Sequence, residues 1–270
     1  MLAPKHPLFE TLRTRATDGP LVVAHRGDSR NHAENTLRAF LAARELGVPM
    51  QEFDVRATRD GELVCMHDET PDRTTDAAQK LGPGALLANL RRDELQKLDA
   101  GSWHPLGPAY ATIPTLAEAL AAMLPVCTPL IEHKAGTAAS YVTELTKLGT
   151  IPQCILQSFD WSFVAAARRL APELAIAVLG PTPSHRRLDA RTLADALLLG
   201  AGMVHWHDVE LSGDDVARAH AAGLLVCTYT TDDEAGLRGG AAMGLDAMCT
   251  NDPGHMVKLR DAGRLRRGDR

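Results

Sequence analysis

The chain has 270 residues, of which 45% are apolar and 23% charged, enough to bury one large core or two small ones. Acidic residues (34) outnumber basic ones (29) for a formal charge of -5, so no overall basic field is available to hold a nucleic-acid backbone, and a nucleic-acid partner is not expected. No run of about eighteen apolar residues occurs, so stable membrane insertion is not expected either.

The N-terminal stretch "MLAPKHPLFETLRTRATDGP" places Lys5, His6, Glu10, Arg13 and Arg15 where a secretory signal needs an unbroken apolar region. Five cysteines, Cys65, Cys127, Cys154, Cys227 and Cys249, form no C-x-x-C pair and sit mostly in or beside apolar runs. They read as reduced core residues, and the expected location is the cytoplasm.

Strand-length apolar runs then recur with helical segments between most of them. The strands are expected at 21–25 (LVVAH), 50–55 (MQEFDV), 129–134 (PLIEHK), 153–158 (QCILQS), 174–179 (LAIAVL), 203–207 (MVHWH), 224–229 (LLVCTY) and 245–250 (LDAMCT). Several intervening helices open on Asn, Thr, Asp or Ser as caps and run into Gly. Eight strands in this alternation predict a (β/α)8 TIM barrel spanning residues 1–270 as one domain.

One segment departs from the alternation. "RATRDGELVCMHD" carries Asp60-Gly61 between two extended stretches, a hairpin signal. With those two residues at the centre of the turn, His67 is expected directly across from Asp54. Residues 69–112 follow as a long excursion rich in Gly, Pro and charge, expected to form a small cap over the site because it leaves from His67. Leu81, Leu86, Leu87 and Trp103 are its apolar residues, and the leucines are expected on the buried face of a short cap helix. The basic tail "LRDAGRLRRGDR" reads as a final helix with a frayed end.

Chemistry concentrates at the strand ends. Glu52 and Asp54 are two apart, so on a strand they share a face. Two carboxylates there repel each other and lose hydration, and a divalent cation resolves both costs. Glu132 and Lys134 repeat the pattern on the third strand. Active sites of parallel barrels collect at the C-terminal ends of the strands, which would gather His25, Glu52, Asp54 and Glu132. Three carboxylates suit a hard ion, Mg²⁺ or Ca²⁺, with positions left for water and substrate. Arg26 and Lys134 add permanent cations fit to grip an anion, although Arg26 could equally pair with Glu52 or Asp54. Gly27 permits close backbone approach. His25 and His67 supply two proton-transfer groups, and metal-assisted acid/base cleavage of a phosphate ester follows. His205 and His207 are spaced like ligands but lack acidic neighbours other than Asp208; one is left as a candidate for the barrel mouth. The remaining histidines read as surface or supporting residues, and the alternation turns His133 toward the helices.

The segments "HRGDSRNHAENT", "EFDV", "TRDGELVCMHD" and "EHK", followed by "LQSFD" and "CTNDP", resemble the glycerophosphodiester phosphodiesterase family over roughly residues 21–255. The resemblance implies hydrolysis of a small-molecule glycerophosphodiester to an alcohol and glycerol 3-phosphate. It implies His25 and His67 as the acid/base pair, Glu52, Asp54 and Glu132 as metal ligands, and Arg26 and Lys134 as phosphate grips. Glu34 is expected to organise the first loop and Asn35 or Thr36 to start the first helix. Ala33 stands where the family usually has proline. Tyr229 stands where a tryptophan is common, which makes it a candidate substrate wall, with Trp206 on the neighbouring strand able to compensate. A phospholipase D-like enzyme acting on lysophospholipid or sphingolipid headgroups is the second reading, with the excursion as its only membrane-facing candidate. A non-catalytic phosphate binder is the third, and two proton-transfer groups argue against it.

Overall fold

The computed structural model describes residues 6–267. Lys5 of the N-terminal charges and residues 268–270 of the basic tail lie outside them. The strands are β1 (Leu21–His25), β2 (Met50–Ala57), β3 (Leu63–Cys65), β4 (Thr128–His133), β5 (Ile155–Ser158), β6 (Ala175–Gly180), β7 (Met203–His207), β8 (Leu225–Tyr229) and β9 (Ala247–Thr250). All but β3 pair in parallel, and β1 pairs with both β9 and β2, so eight strands close into the expected TIM barrel.

Strand alternation divides the core in two. Inward positions such as Val23, Met50, Leu130, Ile155, Ala177, Met203, Cys227 and Cys249 fill the barrel. The intervening positions, Val22, Phe53, Ile131, Leu156, Val204 and Val226, pack outward against the helices. All five cysteines are buried free thiols. No helix among the described residues is long and apolar enough to cross a membrane.

The floor of the barrel is sealed by an N-terminal helix, Pro7–Arg15, for which sequence patterning gives no expectation. His6 caps it by accepting from the Leu8 N–H, Pro7 opens it, and Phe9 and Leu12 face the inner core. A Cβ on Gly202 would lie 2.1 Å from the Phe9 ring, so this packing requires glycine. Full burial of the Phe9 ring is worth about 2–3 kcal/mol.

The hairpin and the tail depart from expectation. The hairpin pairs Val55 with Cys65 and Ala57 with Leu63, one residue out of the predicted register. Gly61 alone adopts positive φ (84°), donating to the Thr58 carbonyl, while the Thr58 N–H reaches the Glu62 carbonyl. This is a three-residue loop, whereas a two-residue turn would need positive φ at Asp60 as well. Met66, not His67, therefore meets Asp54, donating to its carbonyl at 3.0 Å. The last helix, Pro253–Asp261, carries Lys258 and Arg260 in its last turn as expected but takes in only residues 259–261 of the basic tail, after which Gly263 turns the chain at φ 70°.

The excursion folds on a satellite core of Val64, Met66, Ala77, Leu87, Leu90, Leu95, Leu98, Ala100 and Ile113. Leu87 is buried as expected. Leu81 and Leu86 instead stay 40% and 45% exposed, because the helices here are single turns with no continuous buried face.

Candidate active site

The site is assembled at the C-terminal ends of the strands from inward positions of β1, β2 and β4. The register puts His25 beside Glu52 and Asp54 beside Glu132. Carboxylate oxygens of Glu52, Asp54 and Glu132 lie within 4.8 Å of one another, and all three residues are buried. Neither oxygen of Glu52 accepts a hydrogen bond. An oxygen-only donor set with unpartnered buried oxygens fits a hard divalent cation.

The cations lean on Asp54. Arg26 Nε is 3.0 Å from its Oδ2 and Lys134 Nζ 3.3 Å from its Oδ1, and Lys134 also pairs with Glu132. Asn35 donates to Asp54 Oδ2 at 2.9 Å. Burial works to raise the Asp54 carboxyl, but Arg26 and Lys134 prevail and hold it at about 2. Burial and the charge of Asp54 raise Glu132 to about 7, with Lys134 opposing. Glu52 is pushed well above the usual carboxyl range by burial and then by its two acidic neighbours.

A tight turn aims Arg26. Its φ of 58° is left-handed, a conformation costing about 1–2 kcal/mol outside glycine. Gly27 follows at φ 83°, where a Cβ would lie 2.6 Å from the Ala39 backbone of the helix Leu37–Glu45. Thr36 caps that helix, so Asn35 is freed to hold Asp54. Arg26 Nη1 donates to Glu34 at 2.7 Å, which ties the first loop together.

Both histidines are held at Nδ1. The Asn251 amide donates to Asp232 Oδ2 at 2.7 Å, which leaves its Oδ1 to accept from His25 Nδ1 at 2.6 Å. His67 Nδ1 meets Asp68 Oδ1 at 2.6 Å. In each neutral ring the proton is therefore on Nδ1, and Nε2 keeps its lone pair. His25 Nε2 is 3.8 Å from Glu52. Burial, then Arg26, lowers His25 to about 4; burial also lowers His67. Sequence alone assigns no role to Asp68, Arg73, Asp232 or Asn251, although "HD", "DRTT", "TTDD" and "TND" contain them.

Tyr229 lines the inner face, with its hydroxyl on the Gly180 carbonyl at 2.8 Å and its ring edge-on to His205 and His207. Trp206 does not join it. Its strand position turns outward, and the indole is fully buried in the outer core over Gly180, so the expected compensation for Tyr229 fails. His205 is the inward residue instead, buried against Gln157 at 2.9 Å and lowered by burial to about 3, while His207 lies half-exposed at the rim. His133 faces the helices and stacks on Phe163 at 3.5 Å.

Residues 25–255 match the model of the glycerophosphoryl diester phosphodiesterase family, 231 of the 270 residues. The chain belongs to this family. A glycerophosphodiester phosphodiesterase of Bacillus subtilis is 30% identical over 272 aligned residues, covering 90% of this chain and 87% of the relative. Another, from Caldanaerobacter subterraneus, is 29% identical and covers 88% and 97%. A solved phosphodiesterase of Oleispira antarctica, in complex with the product sn-glycerol-3-phosphate, superposes with a TM-score of 0.80 at 27% identity over 90% of this chain and 97% of that one. Membership makes the chain a phosphoric diester hydrolase of the glycerophosphodiester class.

Proposed function

We propose that the chain cleaves small glycerophosphodiesters to an alcohol and sn-glycerol 3-phosphate at the barrel mouth, with His25 and His67 as the acid/base pair. Glu52, Asp54 and Glu132 would hold a divalent cation, Mg²⁺ or Ca²⁺, which when bound supplies Lewis-acid polarisation of a phosphoryl oxygen. Arg26 and Lys134 grip the phosphate, the first through a planar fork and the second as a point charge. The two Nε2 lone pairs suit opposite tasks: one imidazole takes the proton of the attacking oxygen, the other in its protonated form gives one to the leaving alkoxide. A glycerol hydroxyl serves as the internal nucleophile: its oxygen bonds to phosphorus as the P–O bond to the alcohol breaks, and water then opens the cyclic phosphate to sn-glycerol 3-phosphate. Tyr229 forms the wall against the alcohol or glycerol group. The observation that carries this reading is the convergence of three buried carboxylates, two permanent cations and two Nδ1-anchored imidazoles at one end of the barrel. Five unpaired thiols support a cytoplasmic location.

A second reading, cleavage of lysophospholipid headgroups, is favoured by the exposed apolar residues of the excursion, notably Leu86, Trp103 and Leu106. One panel tests both: glycerophosphodiesters and lysolipid vesicles assayed with Mg²⁺, Ca²⁺, Mn²⁺ or chelator. Release of sn-glycerol 3-phosphate from the soluble diesters, lost in chelator, is the expected result; turnover confined to vesicles reverses the order of the two readings. His67→Ala should lose about 10²–10⁴-fold in turnover with cation binding retained. Unchanged turnover removes His67 from the chemistry.

A further inference from the structure

We infer that Arg73, carried by the excursion and outside the cation and phosphate groups described above, is a positioning residue that locks His67 and the first loop into one unit. The inference rests on the proposed acid/base role of His67. Arg73 Nε donates to Asp68 Oδ2 at 2.5 Å, while Nη1 and Nη2 donate to Glu34 Oε2 and Oε1 at 2.9 and 2.8 Å. Each carboxylate then spends its other contact on the site. Asp68 Oδ1 holds His67 Nδ1, and Glu34 Oε1 is shared with Arg26, whose Nε sits on Asp54. The path from imidazole to phosphate grip is thus a continuous run of charge-assisted bonds, with one guanidinium joining its two halves.

Charge explains why an arginine is needed at this position. Asp68 and Glu34 touch the same guanidinium, so they are near neighbours of like sign on segments 34 residues apart in sequence. Without the guanidinium they repel, and the segment after β3 that carries His67 separates from the loop that carries Arg26. Asp68, released from its fork, no longer fixes the orientation of the imidazole, and Glu34 turns wholly onto Arg26 and competes with the substrate phosphate. An isolated surface ion pair of a half-exposed arginine would be worth little. Here the three donors converge on two partly buried acids, and the backbone beneath is fixed. Thr75 Oγ1 bonds the Pro71 carbonyl at 2.7 Å, and Asp72 accepts from the Gly84 N–H at 2.6 Å. The excursion therefore contributes to the chemistry of the site through a residue that touches no reacting atom.

The test uses the full chain with glycerophosphocholine and saturating Mg²⁺. Arg73→Ala should lower kcat about 10–100-fold. Guanidinium added far below denaturing concentration should restore about tenfold of that loss, since the side chain is open to solvent. Arg73→Lys, which keeps the charge without the fork, should fall between. In the pair Arg73→Ala with Asp68→Asn the losses should not add, because both act through His67. A kcat within about twofold of the unmodified chain overturns the assignment. So does a loss that neither guanidinium nor lysine relieves and that follows a fall in melting temperature, which would mark Arg73 as a merely structural residue. Absence of cation-dependent hydrolysis in the unmodified chain defeats instead the function on which the inference rests.

Discussion

Glu52→Gln removes one charge from the barrel mouth with almost no change of shape, and its effect should reverse sign with the cation. The Glu52 carboxylate has two acidic neighbours within 4.8 Å. At an effective dielectric of about 20, each such pair of like charges costs about 3 kcal/mol. Arg26 and Lys134 return part of this, but both sit on Asp54, at 3.0 and 3.3 Å, and not on Glu52. A net penalty of about 2 kcal/mol remains, equivalent to roughly 4–8 °C in melting temperature. Because the folded-state value of Glu52 is raised above that of an unfolded carboxyl, near about 4.3, the unfolded chain ionises first as pH climbs. The penalty is therefore absent in acid, grows as pH rises past the unfolded value, and levels off only beyond the folded one. In chelator the variant should melt with the unmodified chain at low pH and increasingly above it toward neutrality. Divalent cation at about a hundredfold excess over its dissociation constant should stabilise the unmodified chain by about 2.7 kcal/mol and the variant by much less, which inverts the ranking. Thermal melts across pH, with chelator or with saturating Mg²⁺ or Ca²⁺, read both effects. Equal stability in chelator, or the same cation-induced shift in both proteins, would show that the Glu52 carboxylate carries no such penalty and holds no cation.

Asn251→Ala removes the group that orients His25 and should lower kcat about 10–100-fold with little change in KM; steady-state kinetics at saturating cation check it, and an unchanged kcat would show that His25 needs no anchor. Asp246→Asn bears on stability alone, since Asp246 lies at the floor end of β9 and accepts from the Val226 N–H at 2.7 Å, from His220 at 2.8 Å and from Arg267. Burial would raise its carboxyl, but His220 and the other donors hold it below the usual range. The stability it supplies is thus present above the unfolded value of about 3.9 and lost as pH falls through the folded one, so the variant should cost about 2–3 kcal/mol at neutral pH and show a flatter urea midpoint below pH 4.

The barrel could be read from the chain because eight apolar runs alternate with capped helices, and the strand period of two put Glu52 with Asp54, and Glu132 with Lys134, on a shared face. The same period argued that His133 faces the helices, and applied to "MVHWH" it also turns Trp206 outward once His205 is inward. The choice between those two was open because both residue types occur on either face of a barrel strand. The hairpin register slipped by one because Asp-Gly is compatible with a two-residue turn and with a three-residue loop, and only backbone dihedrals separate them. The N-terminal helix left no strand-like signal, although a histidine cap, Pro7 at its first position and basic residues in its last turn are helix boundary marks. The supporting groups were the least legible. Asn251 and Asp232 are nineteen residues apart, and Arg73 and Glu34 thirty-nine, so their pairing depends on loops whose paths no local pattern determines.

Charge, as much as shape, governs what this mouth can hold. Five carboxylates converge on it, Glu34, Glu52, Asp54, Asp68 and Glu132, against three permanent cations, Arg26, Arg73 and Lys134. Burial lowers both imidazoles, so neither adds a positive charge at neutral pH. With every carboxylate ionised, the count leaves two negative charges in excess, above an inner core of Met50, Leu130, Ile155, Cys227 and Cys249 that offers no screening. A phosphodiester anion would be repelled from such a mouth, and the same excess, together with burial, raises Glu52 and Glu132. In the proposed reaction Glu52, Asp54 and Glu132 would hold a divalent ion that would supply the missing positive charge, and Arg26 and Lys134 would meet the phosphate. The carboxylates thus set both the demand for a cation and the sign of the substrate that can follow it.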